Sequence, residues 1–231
     1  MTDLQAILDK GGPWQQARII GDQLLINGDC LEVMPVLPKV DAVVTDPPYF
    51  GREDLFPTDA VTQTLHMLQP LTGFVFWPWY GQSPAPCECA VHIWHKSVPI
   101  HPNSQIGNVA GHHYERIFAY RTGKRSEVFR HPAILPGFAA CAAEFAEHPT
   151  QKPLSLVSDL VGRLDARTIL DPFMGSGTTL VACQRLGRQG IGIELDPDYF
   201  EIACRRVQEV VNNPPLFTPA PPKPTQEAMD I

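Results

Sequence analysis

Two consecutive prolines, Pro47 and Pro48, constrain the fold of this 231-residue chain more than any other feature. Neither can continue a helix or donate to a sheet ladder, so the chain must make a stiff turn at that point. The residues before them, Val40-Asp41-Ala42-Val43-Val44-Thr45, form a short, β-branched, apolar run that reads as a buried strand. A buried strand that stops at a carboxylate, here Asp46, predicts an open α/β sheet with that acid at the carboxyl edge, where ligands bind in such folds. The pattern recurs. Gln23-Leu24-Leu25-Ile26 runs out into Asn27-Gly28-Asp29-Cys30, Thr168-Ile169-Leu170 ends at Asp171, and Gly190-Ile191-Gly192-Ile193 ends at Glu194.

The turn Asp46-Pro47-Pro48-Tyr49 combines a carboxylate, carbonyls that the prolines keep out of the sheet, and an aromatic ring. Together these suit the holding of a planar amine: Asp46 and the Pro47 carbonyl each accept one N–H, while Tyr49 stacks on the ring that carries the amine. The simpler alternative is a proline-stiffened strand exit whose acid forms a turn or cap. Further along, Gly175-Ser176-Gly177 lies between a strand and a helix, where missing Cβ atoms let the backbone approach a ligand. Leu180 stands where a dinucleotide fingerprint would place its third glycine, and the preceding Asp171 suits a cationic amino group better than a pyrophosphate. Glu194 is spaced to accept two ribose hydroxyls; the alternative is a cap for the following helix. For Asp29 the alternative is likewise a helix cap.

Hydrophobic periodicity predicts a hairpin over Arg18–Ile26 turning at Gly21-Asp22, and a helix through Val61, Leu65 and Leu68. Strands are expected at Gly73–Trp77, near Val91–Lys96 and at Tyr114–Tyr120. A helix should present Leu154, Val157, Leu160, Val161 and Leu164 on one face, and the last helix should open at Asp196-Pro197. Residues 1–17 read as an N-terminal arm and 18–211 as the domain, with small recognition elements near 97–114 and 124–147. Residues 212–231 are rich in proline and read as a disordered tail. The net charge of −7 excludes an indiscriminate polyanion binder. Residues 112–131 nevertheless hold Arg116, Arg121, Lys124, Arg125 and Arg130 against two acids, a candidate phosphate-contacting face.

No apolar run approaches the ~18 residues of a membrane span and no signal-peptide pattern opens the chain, so a cytoplasmic protein is expected, in a bacterium or a phage-infected cell. Six scattered cysteines fit reduced thiols. Cys87, Cys89, His92 and His95 cluster, but on a strand their side chains would splay to opposite faces, and no metal is expected.

Three motifs, Asp46-Pro47-Pro48-Tyr49, then His148-Pro149-Thr150-Gln151-Lys152-Pro153, then Asp171-Pro172-Phe173-Met174-Gly175-Ser176-Gly177-Thr178-Thr179, resemble the amino-methyltransferases of DNA. With the proline turn before the glycine turn, the order resembles the circularly permuted β class, over roughly residues 20–211. The resemblance implies a Rossmann-like S-adenosylmethionine-dependent methyltransferase fold with a mostly parallel seven-stranded sheet and helices on both faces. It implies methyl transfer to N6 of adenine or N4 of cytosine in double-stranded DNA, with Asp46, Pro47, Pro48 and Tyr49 catalytic. Asp29, Cys30, Asp171, Phe173, Gly175, Gly177, Thr178 and Glu194 would hold S-adenosylmethionine, and Lys152 borders its methionine part. From the residues alone, Lys152 reads as a surface lysine. Adenine is expected because the motif opens with Asp, where cytosine relatives often open with Ser. The room for target recognition is small, so a short recognition site, a homodimer on DNA or promiscuity is expected, and a restriction-modification setting is implied. The readings from other classes are a non-catalytic cofactor- or DNA-binding module, a methyltransferase acting on RNA or a protein amide, and a nicotinamide oxidoreductase.

Overall fold

The computed structural model describes residues 2–48, 58–69, 72–77, 89–96, 114–123, 126–131 and 151–214. In chain order they form helix α1 (Leu4–Lys10), strands β1 (Gln16–Ile20) and β2 (Gln23–Asn27), helix α2 (Cys30–Val33) with a 3-10 turn after it, strand β3 (Ala42–Thr45) and helix α3 (Thr58–Met67). Strands β4 (Gly73–Trp77), β5 (Cys89–Lys96), β6 (Tyr114–Tyr120) and β7 (Val128–His131) follow. Helix α4 (Leu154–Gly162), strand β8 (Thr168–Asp171), helix α5 (Thr178–Arg185), strand β9 (Gln189–Glu194) and helix α6 (Pro197–Asn212) complete the order. Among the described residues no helix is long and apolar enough to cross a membrane.

The strands form one mixed sheet in the order β1-β2-β9-β8-β3-β4-β6-β5-β7. The expected seven strands are its centre, β2 through β5, and β1 and β7 add one strand at each edge. Strands β1 and β6 run against the other seven, pairing antiparallel with their neighbours. The Gly21-Asp22 hairpin forms with Ile20 opposite Gln23, and Gly21 takes a φ of 58°. Strand β7 falls in a segment whose sequence shows no period. Four residues at an edge are made a strand by pairing with β5, a tertiary cause that periodicity does not register.

Alternation along the strands sends side chains to two cores. Leu25, Val44, Phe74, Phe76 and Ile117 pack under α4, α5 and α6 through Leu156, Leu160, Val181, Phe200 and Val207. Leu24, Ile26, Val43, Val75 and Phe118 pack on the other face against Leu4 and Ile7 of α1, Val33 of α2, and Val61 and Leu65 of α3. Residues near the N-terminus thus belong to the domain's packing. The Thr2 backbone donates to Gln189 Oε1 at 2.8 Å and accepts from Gln189 Nε2 at 2.9 Å, so the segment read as an arm is pinned to β9.

Candidate active site

The sheet order puts β8 beside β3, with Ala42 opposite Ile169 and Val43 opposite Leu170, in parallel. Their ends therefore emerge together although they lie 126 positions apart in the chain. Thr45 Oγ1 donates to Asp171 Oδ1 at 2.7 Å and ties the two tips directly. A cavity of about 440 Å³ opens above them, within the range of small-molecule sites. Asp46, Pro47 and Pro48 line one side; Asp29, Cys30, Asp171, Phe173, Gly175, Thr178 and Glu194 line the other. Gly177 is absent from that lining.

On the glycine side, Asp171 is 3% exposed and buried deep enough to push its carboxyl up to about 7. Hydrogen bonds from the Thr179 and Thr45 hydroxyls and the Phe173 N–H oppose that rise, and the nearby Asp46 charge adds to it. Glu194 accepts the Gly175 N–H on Oε2 at 2.9 Å and the Asp196 N–H on Oε1 at 2.9 Å. Burial raises its carboxyl above the usual range. A carboxylate offers about four acceptor positions, so each oxygen retains room for a hydroxyl. The cap of α6 is Asp196, which accepts from Asp198 N–H at 2.8 Å. Asp29 caps the short α2, accepting from Leu31 N–H at 2.9 Å, and lines the cavity as well, so its cap and ligand readings are compatible. Cys30 faces Thr64, Sγ to Oγ1 at 3.3 Å, and burial pushes its thiol up to about 11.

Gly175 and Gly177 take φ of 50° and 79°, which L side chains rarely adopt. At Gly177 there is a second reason for glycine: an added Cβ would lie 2.8 Å from Ala203 Cβ on α6. This glycine lets helix α6 approach the turn. Arg206, one turn further along α6, donates to Ser176 O at 2.5 Å, Ser176 Oγ at 2.8 Å and Thr178 Oγ1 at 3.2 Å. Sequence reasoning passed over Arg206, whose only signal was a basic residue on a helix otherwise ordinary in pattern.

On the proline side the structure corrects one expectation outright. Lys152 is buried, its side chain 9% exposed. Its Nζ donates to Asp46 Oδ2 at 2.5 Å and lies 3.4 Å from Glu115 Oε2. It also sits 5.3 Å from the centre of the Phe76 ring, within cation–π range. Burial works against the charge, but Asp46 and Glu115 outweigh it and hold the ammonium above its ordinary range. Lysine seldom goes inside unless paired, which is why sequence alone reads it as surface. Glu115 was missed altogether as a site residue. It stands near the beginning of β6, and because β6 is antiparallel to β4, with Arg116 opposite Trp77, that beginning reaches the same sheet edge as Asp46.

The same reversal divides the basic stretch. Arg116 and the backbone of Arg130 lie toward the edge that bears Asp46, whereas Arg121, after the last residue of β6, lies at the opposite edge. The structure therefore does not gather the stretch into one face: a strand that crosses the sheet separates its two ends by the strand's length. Arg116 Cζ lies 5.2 Å from the Phe118 ring centre. Tyr49, Lys124, Arg125, the Arg130 side chain, Cys87, the loops expected to read the target and the tail from 215 onward lie outside the described residues. Of the Cys and His cluster, His92 is buried between Phe74 and Phe129 and accepts the Glu127 N–H on Nδ1 at 2.9 Å, while His95 is exposed. Among the described residues no group of three His, Cys, Asp or Glu side chains is disposed to hold a metal.

Residues 94–205 match the DNA methylase family of N6 and N4 methyltransferases. The chain is 45% identical over 64 residues to the type II methyltransferase M2.DpnII of Streptococcus pneumoniae, a stretch that covers 27% of this chain and 24% of that protein. It spans about a quarter of the length of the curated relatives it matches. Its fold is similar to that of the M1.HpyAVI complex with S-adenosylmethionine, with a TM-score of 0.52 and 24% identity over 79% of this chain and 98% of that one. The cytosine-N4-specific PvuII DNA methyltransferase aligns with a TM-score of 0.57 and 14% identity over 86% of this chain and 94% of that one. The family match spans β6, β7, α4, β8, the glycine turn, β9 and the first part of α6, and the chain shares the fold of these solved DNA methyltransferases.

Proposed function

We propose that this chain transfers a methyl group from S-adenosylmethionine to the N6 amino group of adenine in double-stranded DNA. The observation that carries the reading is the meeting of the Asp46 tip and the Asp171–Gly175 tip on one cavity. When bound, S-adenosylmethionine supplies a sulfonium methyl group for in-line attack by nitrogen. Asp171, at the base of the cavity, suits the cofactor's amino group, and the acceptor positions left on Glu194 suit the ribose hydroxyls. Asp29 and the Cys30 backbone suit its adenine amine, and Phe173, Gly175 and Thr178 lie along the same wall.

The target base must leave the duplex to reach Asp46, at a cost of a few kcal/mol offset by stacking and hydrogen bonds in the pocket. Tyr49 is assigned the stack. The Asp46 carboxylate and the Pro47 carbonyl accept the two amino protons, which orients the nitrogen lone pair toward the methyl group. Asp46 then takes the proton that the methylated nitrogen gives up. Placement and charge supply the rate, without a covalent enzyme intermediate. Arg116 and Arg130, whose backbones lie toward the sheet edge that bears Asp46, are the basic residues assigned to the DNA backbone, and a bacterial restriction-modification setting suits the relatives.

N4 of cytosine is the second reading, favoured by the fold likeness to a cytosine-N4-specific enzyme; the aspartate that opens the proline turn favours adenine. The test is to incubate the protein with duplex DNA and methyl-labelled S-adenosylmethionine, digest to nucleosides and identify the labelled one. Label in N6-methyl-2′-deoxyadenosine upholds the proposal, label in N4-methyl-2′-deoxycytidine replaces it with the second reading, and no label in either overturns both.

A further inference from the structure

The mechanism above gives Asp46 a proton to take, yet Asp46 is already the partner of a buried cation. Lys152 Nζ has two carboxylates within ion-pair distance, Asp46 at 2.5 Å and Glu115 at 3.4 Å. The Glu115 side chain is 12% exposed and that of Asp46 28%. The three groups come from three places: the end of β3, the start of the antiparallel β6 and the residue two before α4. Phe76 of β4, the strand between β3 and β6, lies beneath the ammonium.

We propose that Glu115 is a positioning residue that holds the Lys152 ammonium while Asp46 turns to the amine being methylated and takes its proton. The inference rests on the methyltransferase reading and goes further by assigning the residue that frees Asp46 to act. The nitrogen lone pair forms the new N–C bond, and the sulfur of the methyl donor keeps the pair of the S–C bond that breaks. One N–H bond then breaks, its pair stays on nitrogen, and the proton goes to a carboxylate oxygen of Asp46. That step neutralises Asp46 and removes one of the two negative charges beside Lys152.

With Glu115 present, the cluster passes from two anions and one cation to one of each. Without it, protonation of Asp46 would neutralise the one carboxylate left of the two set beside the ammonium under a mostly closed surface, and taking counter-charge from a buried cation is costly. Asp46 would then be held by the ammonium and resist protonation. An ammonium has three donors on a rotating head, so the exchange between 2.5 Å and 3.4 Å partners needs only a small side-chain movement.

The test has an arm on the protein alone. Asp46→Asn stands in for protonated Asp46, and the charge of Lys152 is followed by NMR of labelled lysine as pH rises. Lys152 should stay charged in Asp46→Asn and titrate at least one pH unit lower in Asp46→Asn/Glu115→Gln. Equal titration in the two variants overturns the proposal, whatever the protein's activity, so this arm is separate from the nucleoside assay that tests the methyltransferase reading. The second arm is turnover. Glu115→Gln should lower kcat roughly 10- to 100-fold with cofactor affinity unchanged, and Glu115→Asp should recover part of it. Lys152→Met/Glu115→Gln should be no slower than Glu115→Gln, since a cluster without the cation needs no second anion. A double variant slower by the product of the two single effects would show that the residues act independently and would overturn the proposal.

Discussion

The two halves of the cavity were built by opposite rules. On the glycine side, β2, β8 and β9 run parallel, and the acids that line the cavity stand where the strands finish: Asp29, Asp171 and Glu194. On the proline side, Asp46 obeys that rule, but its neighbours do not. Glu115 stands near the beginning of β6, and Lys152 lies in the approach to a helix. A carboxylate at a strand's start belongs at the far edge of a parallel sheet, and one reversed strand brings it to the near edge. Position along a strand therefore carries functional meaning only together with the strand's direction.

The sharpest way to break this division is Asp46→Ala, expected to lower kcat by at least about 10³-fold, the upper part of the range for a general acid–base group. Cofactor affinity by calorimetry should stay within a few fold, because Asp46 belongs to the other wall. A loss of cofactor binding comparable to the loss of turnover would mean that the walls are not separable. Next in size is Gly177→Val. It forces a β-branched residue to a φ of 79° and sets its Cβ against Ala203. About 2–4 kcal/mol of stability should be lost, read from the urea midpoint. An intact midpoint with cofactor binding abolished would move Gly177 from helix packing to ligand contact.

A third prediction concerns the carboxyl raised to about 7 at Asp171. It must be ionised to hold a cationic amino group, so cofactor affinity should rise roughly tenfold per pH unit below about 7 and level off above it. The unfolded chain gives up the same proton near 3.8. The free protein's stability from this group is thus fully present below that value and lost as pH rises through about 7. Calorimetry from pH 5.5 to 8.5 checks the first; a flat profile would separate Asp171 from the cation. The smallest expected effect is that of Thr45→Val, which removes the donor to Asp171 and should cost about 1 kcal/mol of stability. It should also push the midpoint of the affinity profile to higher pH; an unmoved midpoint would make the Thr45 contact incidental.

Much of the fold was legible because the parallel strands are short, apolar and bounded by turn residues, and because α4 and α6 keep a helical period over several turns. Strand β4 was found at its ends, Gly73 and Trp77. What escaped was set by pairing rather than by local pattern. Strand β7 is a four-residue edge strand, and α1 looks detachable until Gln189 is seen to accept from and donate to Thr2. In the cavity, Asp29 invited a choice between cap and ligand, and its carboxylate has oxygens enough for both, while at Glu194 the cap falls to Asp196 instead. Lys152 and Glu115 were illegible separately, since each looks like a surface charge until the other is placed beside it.

Thr45 and Asp46 are consecutive residues that face different clients: one grips the Asp171 carboxylate, the other the Lys152 ammonium. Neighbouring Cα atoms across a trans peptide are about 3.8 Å apart, and covalent bonds keep them so. On the proposed reading, the spacing between giver and receiver of the methyl group is gauged by a single peptide unit and the one hydrogen bond from Thr45 to Asp171.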